Sequence, residues 1–447
     1  MTGDLVLCTS ALSRSRNSVR LTRSLSSCSH ARNVPGQLLA PADRVSACRG
    51  RLVRPVSEDS PVTSEIPGQQ VEDYARRLAG DLGIRDFVYK PIVIQKGKGS
   101  REVSDGLLVA GNQGLILQVK SRDPEAAKFD PPSKAEAWCM KNAAAAVRQA
   151  EGTRRSLAAG NVAVRSLRGY DRILPDASRW ASVVIVDHPS DPQVMLPPTP
   201  NTLYISVNDW RNLHRWLRST WGVISYVRRA IDSGVDVALG REQDRYSVLA
   251  EADLHAPGSL TSFPTLPPYC IEGAEAWDAA LFEDLIERLA DPDGATGWDA
   301  QQYLWIVEEL DRVPPLGRVR LGAKMRETFL EMCSARSRRS FMTYDPENPR
   351  TRIAFMYDYD TSNDPSSDWF MAKVAAFGIL RNQHAIDAGA DPSSITLAIG
   401  VLHHPDHGRR YVFFYASQTD VLLPDDLRRE LEAEFGVFDG KSVRSTS

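Results

Sequence analysis

Two alternating periodicities predict an α/β fold for residues 66–240, a mixed sheet flanked by helices, with a separate α+β part in the C-terminal half. Three observations carry this expectation. Val71, Ala75, Leu78 and Ala79 recur at helical spacing. Two short apolar runs, Leu107 to Ala110 and Leu115 to Val119, flank Gly111-Asn112-Gln113-Gly114, the composition of a hairpin turn. An alanine-rich segment around Lys141 to Ala150 then reads as a helix, and Trp180 to Val186 and Thr202 to Val207 read as buried strands.

Within the first helix, Glu72 falls beside the apolar stripe, where a carboxylate reaches over a neighbouring sheet. The hairpin carries more chemistry. If Asn112 and Gln113 form the turn, Asp105 lies opposite Lys120 and Leu107 opposite Gln118. Opposed residues share a face and side chains alternate with period two, so Asp105, Gln118 and Lys120 emerge together. Both faces of the hairpin are otherwise apolar, and polar groups in such surroundings need partners. Two readings of Asp105 and Lys120 stand at this point: an ordinary cross-strand ion pair, or members of a site. Asn208 or Asp209 is expected to cap a helix that carries Trp210, Leu213 and Leu217, aromatics and aliphatics read as core.

Taken in order, the helix with Glu72, the strand with Asp105, the hairpin, Gln118-Val119-Lys120 and a helix containing Gln149 resemble the PD-(D/E)XK nuclease superfamily, in its Mrr-like branch with a Gln-x-Lys motif. The resemblance covers residues 66–240 and implies a restriction endonuclease-like fold. It implies Glu72, Asp105, Gln118 and Lys120 as catalytic residues, with Asp105, Gln118 and Glu72 as metal ligands. Magnesium, or manganese in its place, would be the cofactor, since hard cations take oxygen ligands and keep several waters. Gln118 stands where the family's other form has a carboxylate; its neutral amide argues for one metal rather than two. Lys120 would orient or deprotonate the attacking water. Glu102 and Gln149 are accessory candidates; Glu102 reads better as a surface residue than as a ligand, and Gln149 equally well as a solvated helix residue. The implied activity is metal-dependent hydrolysis of phosphodiester bonds in DNA by an endonuclease, in bacterial defence or restriction. A catalytically idle nuclease fold that binds nucleic acid or a protein partner is the alternative. A homodimer would let single sites cut both strands.

Charge divides the chain. Residues 66–240 hold 24 Lys and Arg against 18 Asp and Glu, whereas residues 241–447 hold 21 against 34. The basic part suits a polyanion, with Arg148, Arg154 and Arg155 offered to phosphates. The acidic part excludes a DNA clamp and suits a protein partner. Residues 1–65, with nine Arg, no Lys and many Ser, are expected to be a disordered tail. Residues 241–269 are expected to be a linker ending in the Pro-rich Ser262 to Tyr269, and 270–447 the acidic α+β domain. There, helices are expected near 274–290, 299–311, 319–335 and 366–384, with strands at 352–359, 395–402 and 411–415. His403, His404, Asp406 and His407 read as a hairpin loop rather than a metal site, and Asp358, Asp360, Asn363 and Asp364 as a polar loop. Six scattered cysteines without a C-x-x-C pair argue against structural zinc and disulfides, and no apolar run is long enough for a membrane span, so a cytoplasmic protein is expected.

Overall fold

The computed structural model describes residues 68–89, 93–96, 99–102, 104–158, 163–167, 169, 171–174, 177–255, 265–267, 271–289, 300–345, 348–359, 368–389, 395–404, 408–416 and 423–435. The Arg- and Ser-rich segment at 1–65 lies outside them. The chain is mixed α/β and divides into two compact units. Among the described residues, an N-terminal unit runs to Ala279 and takes in Asp299–Val319; a C-terminal unit holds the rest.

The N-terminal unit begins with α1 (Gly68–Leu82), whose Val71, Ala75, Leu78 and Ala79 are buried as the helical spacing predicts. There follow β1 (Val88–Tyr89), the two-stranded β2 (Val93–Lys96) and β3 (Gly99–Glu102), then β4 (Gly106–Ala110) and β5 (Gln113–Ser121). The short α2 (Pro124–Ala127) and the long α3 (Pro132–Ala158) lead through β6 (Ala163–Arg165) and β7 (Asp171–Ile173) to β8 (Ala181–Asp187) and β9 (Thr202–Ile205). Helices α4 (Val207–Leu217), α5 (Thr220–Asp232), α6 (Glu242–His255), α7 (Gly273–Leu289), α8 (Ala300–Asp311) and α9 (Pro315–Ala335) complete this stretch of chain. The sheet order is β1-β4-β5-β8-β9; the first three strands are antiparallel, and β5, β8 and β9 run parallel. Cys139, Ala143, Ala146 and Val147 of α3 pack on Val184 and Val186, and Ala150 and Leu157 on Leu107, Val109 and Ile116. Arg76 of α1 lies over Gly106 and Leu117, on the opposite face.

The hairpin register differs from the expected one by two residues. Ala110 pairs with Gln113 and Gly106 with Leu117, so the turn is Gly111-Asn112. Two contacts select it. Gly111 takes φ +58° at the first turn position, where a Cβ would also collide with the Glu308 carboxylate. Gly114 sits inside β5 because the Trp180 ring fills the place of its side chain. A second correction concerns α4, which is capped by Ser206, not Asn208 or Asp209. Ser206 Oγ accepts from the Asp209 N–H, and the Asp209 carboxylate accepts from the Ser206 N–H, a reciprocal capping box.

The stretch 241–269 is not simply a linker, since it contains α6. Arg229 of α5 forms a two-pronged pair with Asp253, Arg245 pairs with Glu242, and Tyr226 donates to Glu242, all buried. Nor does the unit end there. Asp311 of α8 accepts from the Trp221 N–H at the start of α5 and pairs with the buried Arg318, while Tyr303 donates to the buried Asp86.

The C-terminal unit has a sheet of order β10 (Arg339–Asp345), β11 (Asn348–Tyr359), β12 (Ile395–His404) and β13 (Gly408–Ala416). Its central pair, β11 and β12, is parallel and joined by α10 (Asp368–Asp387); both edges pair antiparallel. Phe370, Val374, Phe377 and Leu380 of α10 form a core with Ala354, Met356, Ala398 and Leu402, and α11 (Asp425–Phe435) adds Leu431 and Phe435. Three of these strands and the helix fall where expected; β10 is additional. His403 and His404 end β12 instead of forming a loop, and the His403 ring packs against Phe329 and Tyr359. Asp358 lies in β11, paired with Arg338, not in a polar loop. Asp360, Asn363, Asp364, Asp406 and His407 lie outside the described residues. No described helix is long and apolar enough to cross a membrane.

Candidate functional site

Because β4 begins at Gly106, opposite Leu117, β5 runs on from Gln118 to Ser121 without a ladder partner on that side. Asp105 closes the first part of this gap. Its N–H donates to the Leu117 carbonyl, and its carboxylate Oδ2 accepts the Val119 N–H at 2.6 Å. From α1, Arg76 donates to the Asp105 carbonyl oxygen and pairs with Asp73. Burial raises the Asp105 pKa above the ordinary carboxylate value, outweighing the Val119 N–H and the positive fields of Lys120 and Arg76. The carboxylate is therefore desolvated yet surrounded by positive groups.

The face assignment survives the register shift for Gln118 and Lys120, whereas Asp105 precedes β4 and turns its carboxylate to the Val119 N–H at the strand edge. An even shift preserves side-chain alternation, so Gln118 and Lys120 share the face of Ile116, beneath α3. Gln118 is 2% exposed, and its Nε2 has no hydrogen-bond partner among the described residues. Lys120 is half-buried, and among the described residues it forms no ion pair. The expected Asp105–Lys120 cross-strand pair is thus absent, because the register places Asp105 level with Gln118. Lys120 acts on Asp105 only through its field.

On α3, Gln149 is half-buried and its Oε1 is enclosed without a partner, a second unsatisfied amide on the same face of the sheet. Glu72 is half-buried on α1, one turn before Arg76 and on the same side of the helix. The structure brings Arg76, not Glu72, into direct contact with Asp105. The sequence offered one signal for it, the four-residue spacing from Glu72. Glu102 ends β3, in register with Val93 in the two-stranded sheet. Arg154 is not available to phosphates: it donates to the Trp180 carbonyl at 2.9 Å and to Ser182 Oγ at 2.8 Å.

One strand over, sequence reasoning missed Asp187. It ends β8 in register with Ser121, whose hydroxyl donates to it at 2.8 Å. Burial, reinforced by the field of Asp191 and opposed by the Ser121 bond, lifts its pKa to about 6. The signal was an apolar run ending in a carboxylate at the carboxyl end of a parallel strand, where α/β sheets place their ligands.

The donor set determines what this end of the sheet can hold. Among the described residues, no three or more His, Cys, Asp or Glu side chains gather as metal ligands. The Gln118 atom without a partner among the described residues is Nε2, a hydrogen-bond donor that cannot ligate a cation. What remains is the Asp105 carboxylate, the Gln118 oxygen and the main chain of Val119. These are hard, weakly charged donors. They fit a single oxygen-preferring cation that keeps most of its waters, and do not fit a two-metal site or zinc. Comparison with protein-family models, curated proteins and solved structures finds no match to this chain.

Proposed function

We propose that the N-terminal unit is a metal-dependent nuclease of the restriction endonuclease-like, PD-(D/E)XK type that hydrolyses phosphodiester bonds in DNA. One observation carries the reading: the Asp105 carboxylate is pinned by the Val119 N–H, in the positive field of Arg76 and Lys120 and beside the buried, unsatisfied Gln118. In this reading the second oxygen of Asp105 and the Gln118 amide oxygen would hold one magnesium or manganese ion; Glu72, on α1 across the sheet from Gln118, would reach it only through water. Bound there, the metal would neutralise phosphate charge and lower the pKa of a coordinated water. Lys120 orients that water and shields the developing charge on phosphate. Arg76 fixes the backbone of Asp105, so that its carboxylate cannot swing away from Val119. A function in bacterial defence follows from the family resemblance alone.

A second reading, a nuclease fold that binds nucleic acid or a partner without cutting, draws support from the single carboxylate at Asp105 and the absence of a three-ligand acidic group among the described residues. Plasmid degradation with magnesium or manganese separates the two. Wild type is expected to cut, and Asp105→Ala and Lys120→Ala each to lose about 10²- to 10⁴-fold in rate. If the three proteins behave alike, the enzyme reading is wrong.

A further inference from the structure

Helix α3 carries four cations spaced seven residues apart: Lys134, Lys141, Arg148 and Arg155. All four are exposed, on the side away from Ala135, Ala146 and Leu157, which are buried. Seven residues make nearly two turns, so the stripe drifts by only about 20° per step and places a cation every ~10 Å, over ~32 Å in all. A helix face that is merely solvated is usually laced with opposite charges four residues apart. Here Lys141 and Arg148 have only Ala or Gly at those positions, Ala137, Ala145, Ala144 and Gly152. Among the described residues, neither forms an ion pair, and nor does Arg155; Lys134 sits 2.6 Å from Asp130. Glu151 is the exception, three residues after Arg148 and four before Arg155, and it forms an ion pair with neither among the described residues.

The stripe is tied to the candidate site at one end. Asp130 also pairs with Arg122, two residues beyond Lys120, so the stripe starts at the carboxyl end of β5. At its other end, Arg154 bonds the Trp180 carbonyl just before β8, so α3 runs the whole length of the sheet.

We infer that the outer face of α3 is a docking surface for double-stranded DNA, with Lys141, Arg148 and Arg155 contacting successive stretches of one phosphate backbone that leads to the Asp105–Lys120 end of the sheet. The inference rests on the nuclease reading for its choice of polyanion. The three cations span ~21 Å of one helix, a straight rigid line that suits the stiff duplex, with its persistence length of about 50 nm, better than a flexible single strand. Such contacts set position and affinity without reading sequence.

The test is binding of the full chain to a labelled duplex of mixed sequence, in EDTA, by fluorescence anisotropy across a salt series. The double variant Lys141→Ala/Arg148→Ala is expected to bind at least about 10-fold more weakly at moderate salt, with a slope of log affinity against log salt shallower by about 1.8, the release expected for two phosphate contacts. Circular dichroism checks that the variant is folded, and Arg148→Gln alone is expected to show half the change in slope. Unchanged affinity and slope, no binding by wild type, or tighter binding of single-stranded RNA of equal length would each overturn the inference. Cleavage fails separately: stripe variants that bind like wild type while Asp105→Ala stops cutting sink the inference and spare the nuclease reading. Weakened binding by a protein that never cuts does the reverse.

Discussion

In the N-terminal sheet the parallel pair β5–β8 is bridged by α3, and in the C-terminal sheet the parallel pair β11–β12 is bridged by α10, yet the helix-facing positions carry opposite chemistry. Beneath α3 lie Gln118 and, on the helix itself, Gln149, each with an enclosed amide atom that has no partner among the described residues. Beneath α10 lie Ala398, Gly400 and Leu402, met by Phe370, Val374 and Phe377. An unsatisfied buried polar group costs about 1–3 kcal/mol, whereas apolar contact at this density is where such a layer gains its stability. In the second sheet the polar Thr396, on this side of β12, is paired, donating to Asn382 of α10 at 3.2 Å. The first keeps a defect at the end where Asp105 and Lys120 stand, and buried polar groups without partners are where a chemical function is sought.

Overfilling the well-packed sheet is expected to have the largest effect. A Cβ at Gly400 would collide with Val374 and Phe370, and β12 is a central strand that cannot move aside. Gly400→Val is therefore expected to cost about 3 kcal/mol in urea unfolding of the C-terminal unit. If the variant matches wild type, the α10 layer is loose, and the contrast between the two sheets loses its basis.

The same contrast bears on what the sequence disclosed. Strong periodicity made α1, β5, α10 and the apolar strands legible, and period two placed Gln118 and Lys120 on one face, which an even register shift leaves intact; Asp105, just before β4, instead turns its carboxylate to the Val119 N–H along the strand edge. The register itself was hidden because Gly-Asn-Gln-Gly offers two adjacent turns. The choice is made by Trp180 against Gly114 and Glu308 beside Gly111, contacts remote in sequence. Helix α6 reads as a linker because its buried residues include Glu242, Arg245 and Asp253, which are tolerated inside only through their pairs. Arg76 and Arg154 were hidden for a related reason, since an arginine that serves the backbone looks in sequence like one that serves a ligand.

Strand-end carboxylates sharpen the comparison further. Asp358 in the C-terminal sheet has Arg338 at 3.0 Å, whereas Asp187 has only the Ser121 hydroxyl and the repulsive field of Asp191. With a pKa of about 6 in the fold against an ordinary 3.8, native Asp187 holds its proton where the unfolded chain has lost it. Stability therefore falls as pH rises from about 4 to 6 and stays reduced above. Asp187→Asn, which keeps a carbonyl for Ser121, is expected to be more stable than wild type by about 3 kcal/mol at pH 8, a difference that vanishes below about pH 3. Asp358→Asn, which removes the nearer of Arg338's two acidic partners and leaves Glu434 at 3.8 Å, is expected to be less stable than wild type. Denaturant titrations at several pH values decide this, and a pH-independent difference for Asp187→Asn would show that its carboxylate is already compensated.

The smallest expected effect is also the most direct probe of the defect. Gln118→Leu removes the unsatisfied Nε2 and puts an apolar side chain under α3, beside Ile116 and Val184, at similar volume. The change imitates the chemistry beneath α10. Since replacing an unpaired buried polar group by an apolar one of the same shape is neutral or favourable, the N-terminal unit is expected to gain about 1 kcal/mol. On the nuclease reading the same substitution removes a ligand, so cleavage should fall while duplex binding in EDTA stays at the wild-type level. Stability and activity would then move in opposite directions at one residue, as they do where a protein keeps a strained or unsatisfied group for chemistry. A destabilised Gln118→Leu protein would mean that the amide is satisfied by ordered water, making Gln118 a structural member of the sheet.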